Sequence, residues 1–269
     1  MLSVAYVISF LGMIVLPILL GIYLARKFKL SWKPLLAGAL TFIASQVLHI
    51  PFLYGLTAAF KNGTLPAIPG GWSTVFNAVL LGLLAGLFEE TARYILFKFI
   101  LRKANTWNEG VLVGVGHGGI EAILIGVLAA LAFVNMLVYK NMDLSLVPSI
   151  PADQLELAKQ QVAAYWSAPV YMAFLGLVER FSAVCLHIAL SVMVLYSIVA
   201  KKPLWFWFAL LWHAFVDAAA VFLVQKVSVV SLEGIVGVMA LISLGVLFFL
   251  RGKFPQPSAP RPEGEVVPA

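Results

Sequence analysis

Two adjacent glutamates, Glu89 and Glu90, with Arg93 one helical turn on, sit inside an apolar stretch from Trp72 to about Leu101. An ionisable residue at bilayer depth costs roughly 2.5–3.5 kcal/mol even on the lenient insertion scale, so three in one span need a shared purpose. All four histidines also fall in apolar stretches, and two have an acid four residues on: His117 with Glu121, and His213 with Asp217. Imidazole and carboxylate suit a borderline-to-hard cation such as zinc, and a catalytic site needs about three protein ligands plus a position open to water. A spare carboxylate can take the proton from that water. His117, Glu121, His213, Asp217 and, from another span, His187 are therefore candidate metal ligands. Glu89 or Glu90 is the candidate general base, and Arg93 can hold a carboxylate ionised in a low-dielectric setting.

The elements that must position these residues are membrane helices. Apolar residues make up 62% of the chain and charged residues 11%, with a mean hydropathy of +1.00; soluble domains carry about 25% charged residues. A span needs about 20 mostly apolar residues. Seven segments meet this: 3–25, 34–60, 72–101, 109–138, 165–200, 204–224 and 230–250. The fold class is thus all-α, a polytopic membrane protein solvated by the lipid bilayer. The net charge of +6 resides mostly in short boundary loops, so it is not a nucleic-acid signature. Arg26, Lys27, Lys29 and Lys33, then Arg102 and Lys103, then Lys201 and Lys202, then Arg251 and Lys253 mark every second loop as basic. The positive-inside rule then gives an outside N-terminus and a cytoplasmic C-terminus.

Outside the spans, the segment from Tyr139 to Ala164 can form a short surface helix capped by Asp153, and the Pro-rich tail 254–269 should be disordered. The remainder, 1–253, reads as one transmembrane domain. The single cysteine, Cys185, allows no intrachain disulfide.

Helical rise converts position into depth. Counted from the cytoplasmic ends, Glu89 and Glu90 lie about 16–18 Å deep, His117 about 13 Å, Glu121 about 19 Å, His187 about 20 Å, His213 about 14 Å and Asp217 about 20 Å. Four helices thus place their polar groups in one slab, expected to face an interior cavity open to the cytoplasm. The i, i+4 spacings put each pair on one helix face. Gly114, Gly116, Gly118 and Gly119 around His117 leave room for a close neighbour. His49, beside Pro51, has a plainer reading as a group that satisfies backbone freed by a kink. Glu179 and Arg180, about 30 Å from the cytoplasmic end, read as a local ion pair near the outer boundary.

The sequence Glu89-Glu90-Thr91-Ala92-Arg93 resembles the Glu-Glu-x-x-Arg signature of the CAAX-protease and bacteriocin-processing group and its PrsW relatives. His117-x-x-x-Glu121 and His213-x-x-x-Asp217 resemble that group's second and third motifs. The YhfC-type intramembrane metalloproteases are the most similar branch, through the stretch from Gly116 to Ala122 and the segment from Glu179-Arg180 to His187. The resemblance covers roughly residues 1–250. Two residues separate Glu90 from Arg93, as in the PrsW-like form; the CAAX-protease pattern has three there. The resemblance implies a multi-pass protein of the cell membrane, binding Zn²⁺ or another divalent ion. Its activity would be a metal-dependent endopeptidase acting on a membrane-embedded or membrane-associated protein or peptide. Two other classes compete. Intramembrane acids and histidines also build proton-coupled transporters or ion pathways, although no transporter-type repeat is evident. A non-catalytic scaffold or immunity factor on the same fold is the third reading.

Overall fold

The computed structural model describes residues 1–148 and 150–254. Among these residues all regular structure is helical. Seven helical segments of 20–34 residues are long and apolar enough to cross a membrane: Leu2–Phe28, Lys33–Lys61, Gly70–Ile100, Trp107–Lys140, Val170–Val199, Leu204–Leu223 and Val229–Arg251. Their α-helices are α1 (Leu2–Phe28), α2 (Lys33–Lys61), α3 (Ser73–Ile95), α4 (Trp107–Lys140), α6 (Leu175–Val199), α7 (Leu204–Leu223) and α8 (Val229–Arg251), while α5 (Leu155–Ser167) is short and lies between spans. This is the seven-helix, all-α membrane architecture expected from hydropathy.

Two boundaries differ from expectation. The fifth span begins at Val170 rather than 165, because Pro169 forces Ala168 into extended backbone (φ −60°, ψ 141°) and ends α5 at Ser167. Asp153 lies in a 3₁₀ turn, Ala152–Gln154, and does not cap α5. The Pro-rich tail lies, from residue 255, outside the described residues; Phe254 itself is buried and packs on Tyr196.

The start of α4 is set locally. Thr106 accepts from the Glu109 backbone N–H while the Glu109 carboxylate accepts from that of Thr106, a reciprocal cap eleven residues before His117. One helix, α6, occupies the centre. Of its most apolar 18-residue stretch 83% is buried, against 17–28% for the other six. A helix apolar on all sides needs such enclosure, here by other helices rather than lipid. Helices α4 and α8 pack on α6, α1 and α2 pack on α4, and α3 packs on α7.

Close backbone approach fixes these pairs. A Cβ on Gly116 would strike the Leu35 carbonyl of α2, and one on Gly114 the backbone of Ile188 in α6. These two glycines, just before His117, thus clamp α4 between α2 and α6. On α3, Gly82 and Gly86 meet the backbone of α7 at Ala214 and Leu210. Small residues four apart permit this contact, and it brings Glu89 and Glu90 alongside His213.

Candidate metal centre

Five helices send polar side chains to one buried cluster. From α3, Glu89, Glu90 and Arg93 all face inward and are buried. His117 and Glu121 come from α4, His187 from α6, and His213 and Asp217 from α7. Glu89 is the hub. Its Oε2 lies 2.9 Å from His117 Nε2, 3.5 Å from an Arg93 guanidinium nitrogen and 3.9 Å from His213 Nε2. Its Oε1 accepts a 3.1 Å hydrogen bond from Gln46 Nε2 on α2.

The remaining contacts fix the imidazoles. Arg93 pairs with Glu90, and its Nη2 lies 2.7 Å from His187 Nδ1. A guanidinium has no acceptor, so His187 Nδ1 must accept and the ring proton of the neutral form sits on Nε2. That nitrogen is 2.6 Å from Glu121 Oε2. His213 Nδ1 lies 2.7 Å from Glu90 Oε1, which leaves Nε2 directed toward Asp217 Oδ2 at 3.5 Å. The rings of His117, His187 and His213 lie in a row, the first pair tilted and the second edge-to-face, with centroids 5.1 and 5.3 Å apart.

Donor atoms of Glu89, His117 and His187 all lie within 4.8 Å of one another. Zinc bound at about 2.0–2.2 Å would draw such donors to about 3.3–3.5 Å apart, a shift of roughly an ångström in side chains that already converge. Charge favours a cation too. The carboxylates Glu89, Glu90, Glu121, Glu179 and Asp217 are answered here by two guanidiniums, Arg93 and Arg180. Uncompensated negative charge in a low-dielectric interior is costly. The residue set therefore fits a divalent ion with three protein ligands. Beside it lies a small cavity of about 80 Å³, bordered by Glu89, Glu121, His187, His213 and Asp217.

All eight residues singled out from the sequence gather here, but in a particular order. Glu89, with His117 and His187, forms the convergent triad; Glu121, His213 and Asp217 stand around it. Two further residues, Gln46 and Arg180, belong to the network, and His49 stands beside it. Gln46 holds Glu89; a depth count places it about 18 Å in, level with its partner, so its position carried a signal. Arg180 bridges Glu179 and, at 2.6 Å, Glu121, and so is more than a boundary ion pair. His49 stacks on Phe88 at 5.2 Å, and neither buried ring nitrogen has a partner. It does not satisfy backbone freed by Pro51.

Comparison with known proteins agrees with this picture. The family described as YhfC intramembrane metalloprotease matches residues 12–250. A Bacillus subtilis (strain 168) protein named "Uncharacterized membrane protein YhfC" is 30% identical over 246 residues, covering 88% of this chain and 91% of that protein. No solved structure gives a significant match. The chain belongs to the YhfC intramembrane metalloprotease family.

Proposed function

We propose that this multi-pass protein is a metal-dependent endopeptidase of the cell membrane. Its substrate would be a peptide bond in a membrane-embedded or membrane-associated protein. The observation that carries the reading is the convergence of Glu89, His117 and His187 in a chain of this family. These three would hold the ion, zinc being the best match to a two-imidazole, one-carboxylate set. When bound, the ion supplies Lewis-acid activation of water and of a peptide carbonyl.

The chain's own residues do the rest. Gln46 fixes the carboxylate plane of Glu89 through Oε1, so that Oε2 faces the histidines. Arg93 neutralises Glu90 and covers the Nδ1 lone pair of His187, the one through which that ring would hold the ion once Arg93 moves aside. Glu90 in turn holds the Nδ1–H of His213. Asp217 lies on the cavity wall next to His213 Nε2 and takes the proton from the attacking water. That proton passes from Asp217 to His213 Nε2, and the ring, whose charge Glu90 stabilises, delivers it to the leaving amine. Glu121, anchored by Arg180, keeps the His187 ring in place.

Mapping new peptide N-termini in membranes from cells expressing wild type or Glu89→Gln tests this. Termini that depend on the wild-type chain are expected. The same set with both chains, or proton-coupled flux with no cleaved product, would overturn the peptidase reading.

A further inference from the structure

We infer that water reaches the buried centre from the face opposite the basic loops, through an acid-lined vestibule between α6, α7 and α8. The inference deepens the hydrolase reading by naming the side of the membrane that supplies the water.

The cavity runs in one direction only. From His187 and His213 it extends along α6 to Glu179, along α7 to Ala220 and along α8 to Val236. Each of these lies toward the 224–228 turn and the 141–169 segment, away from Lys201 and Lys202. In the opposite direction the cluster is sealed: Leu190 and Val194 of α6, and Ala209 and Leu210 of α7, are all buried. Trp212 Nε1 donates a 2.9 Å hydrogen bond to Ser243 Oγ there and ties α7 to α8. α7 packs mainly on α3 and α8 mainly on α6, with little contact between α7 and α8, and the cavity lies in the wedge between them.

Side-chain exposure rises along the same line. Arg93 and Glu90 are 0% exposed, Glu89 7%, Glu121 21%, Glu179 34% and Asp217 38%. A carboxylate one third exposed within a membrane helix cannot stand against hydrocarbon; it needs water. On α8, Glu233 lies near Glu179 and Arg180 and has a buried oxygen without a partner. It lies one turn nearer that face than Val236, the last α8 residue of the cavity wall. On this route the opening lies opposite the basic loops, whereas the depth count led to the expectation of a cytoplasmic one.

Single cysteines at Ala183→Cys and Ala220→Cys, in a Cys185→Ala background, test the route. Ala183 lies one turn before His187 on the cavity wall, and Ala220 lies further along it. Membrane-impermeant thiol reagents are applied to intact cells and to inside-out vesicles, with Asn62→Cys and Lys201→Cys as markers of the two faces. Both test positions should react from the side that reaches position 62 and not from the side that reaches 201. A cationic reagent should react faster than an anionic one, and Glu179→Gln should narrow that difference. Labelling from the 201 side, no labelling from either side, or a faster anionic reagent would overturn the route. The readout does not depend on cleavage, so loss of the peptidase reading and loss of this inference are separable.

Discussion

His213 Nδ1 stands 2.7 Å from Glu90 Oε1, the oxygen that also pairs with Arg93. A fully buried carboxylate thereby sets the direction of an imidazole, and its other nitrogen faces Asp217. Glu90→Gln keeps the shape but removes the charge that favours an imidazolium. Cleavage should fall about 10–100-fold, the usual cost of losing such a supporting partner, while bound metal is retained. Metal lost from Glu90→Gln but kept in Glu89→Gln would reverse the two roles.

Metal content separates the triad from its surroundings. Purified wild-type chain should carry about one divalent ion. His117→Ala and His187→Ala should lose it, and Asp217→Asn should keep it while failing to cleave. Elemental analysis reads this directly. Retention by both histidine variants would place the ion elsewhere.

Arg93 is the guanidinium that faces Glu89, Glu90 and His187 together. Removing one partner of a buried ion cluster costs about 3–5 kcal/mol. Arg93→Met should therefore lower the thermal midpoint in detergent sharply, and adding Glu90→Met should recover part of the loss. Independent, additive losses would show that the pair is not coupled.

Packing makes a contrasting pair of glycine predictions. Gly116→Ala drives a Cβ into the Leu35 carbonyl and should destabilise by at least about 1–3 kcal/mol. Gly237→Ala on α8 meets open space and should be neutral, or stabilising by up to about 1 kcal/mol. Unfolding midpoints that move alike for both would contradict the α2–α4 contact.

The orientation is an expectation that rests on the basic loops alone. With the N-terminus outside, Asn62→Cys labels in intact cells and Lys201→Cys only in inside-out vesicles. The reverse pattern would invert every statement of sidedness made above.

Most of the fold and the membership of the cluster were legible because charge in hydrocarbon is so costly that each ionisable residue announces itself. The partnerships were less so. Counting depth from helix ends put Arg180 about 11 Å beyond Glu121, yet they touch. The counts assumed flush helices. Glycine contacts place Gly114 against Ile188 and Gly118 against Val184, a register in which α6 runs about one to two turns past the start of α4. Gln46 was overlooked for a different reason: an uncharged amide raises less alarm than an acid, and its pairing spans helices. Which glutamate joins the triad depends on helix rotation, and periodicity leaves neighbouring residues 89 and 90 about 100° apart without saying which faces His117.

The enclosure of α6 has a consequence for how the protein is made. When α6 leaves the ribosome, α7 and α8 do not yet exist, so its whole circumference beyond α4 must first be solvated by lipid. His187 enters the bilayer before Asp217, His213 and the wall of α8 are available, with Arg93 and Glu121 as its earliest partners. The site is therefore completed by the last two helices to be inserted. A chain stopped after α6 would hold the triad's residues in the membrane without the wedge that admits water, a nascent protein with its chemistry still locked.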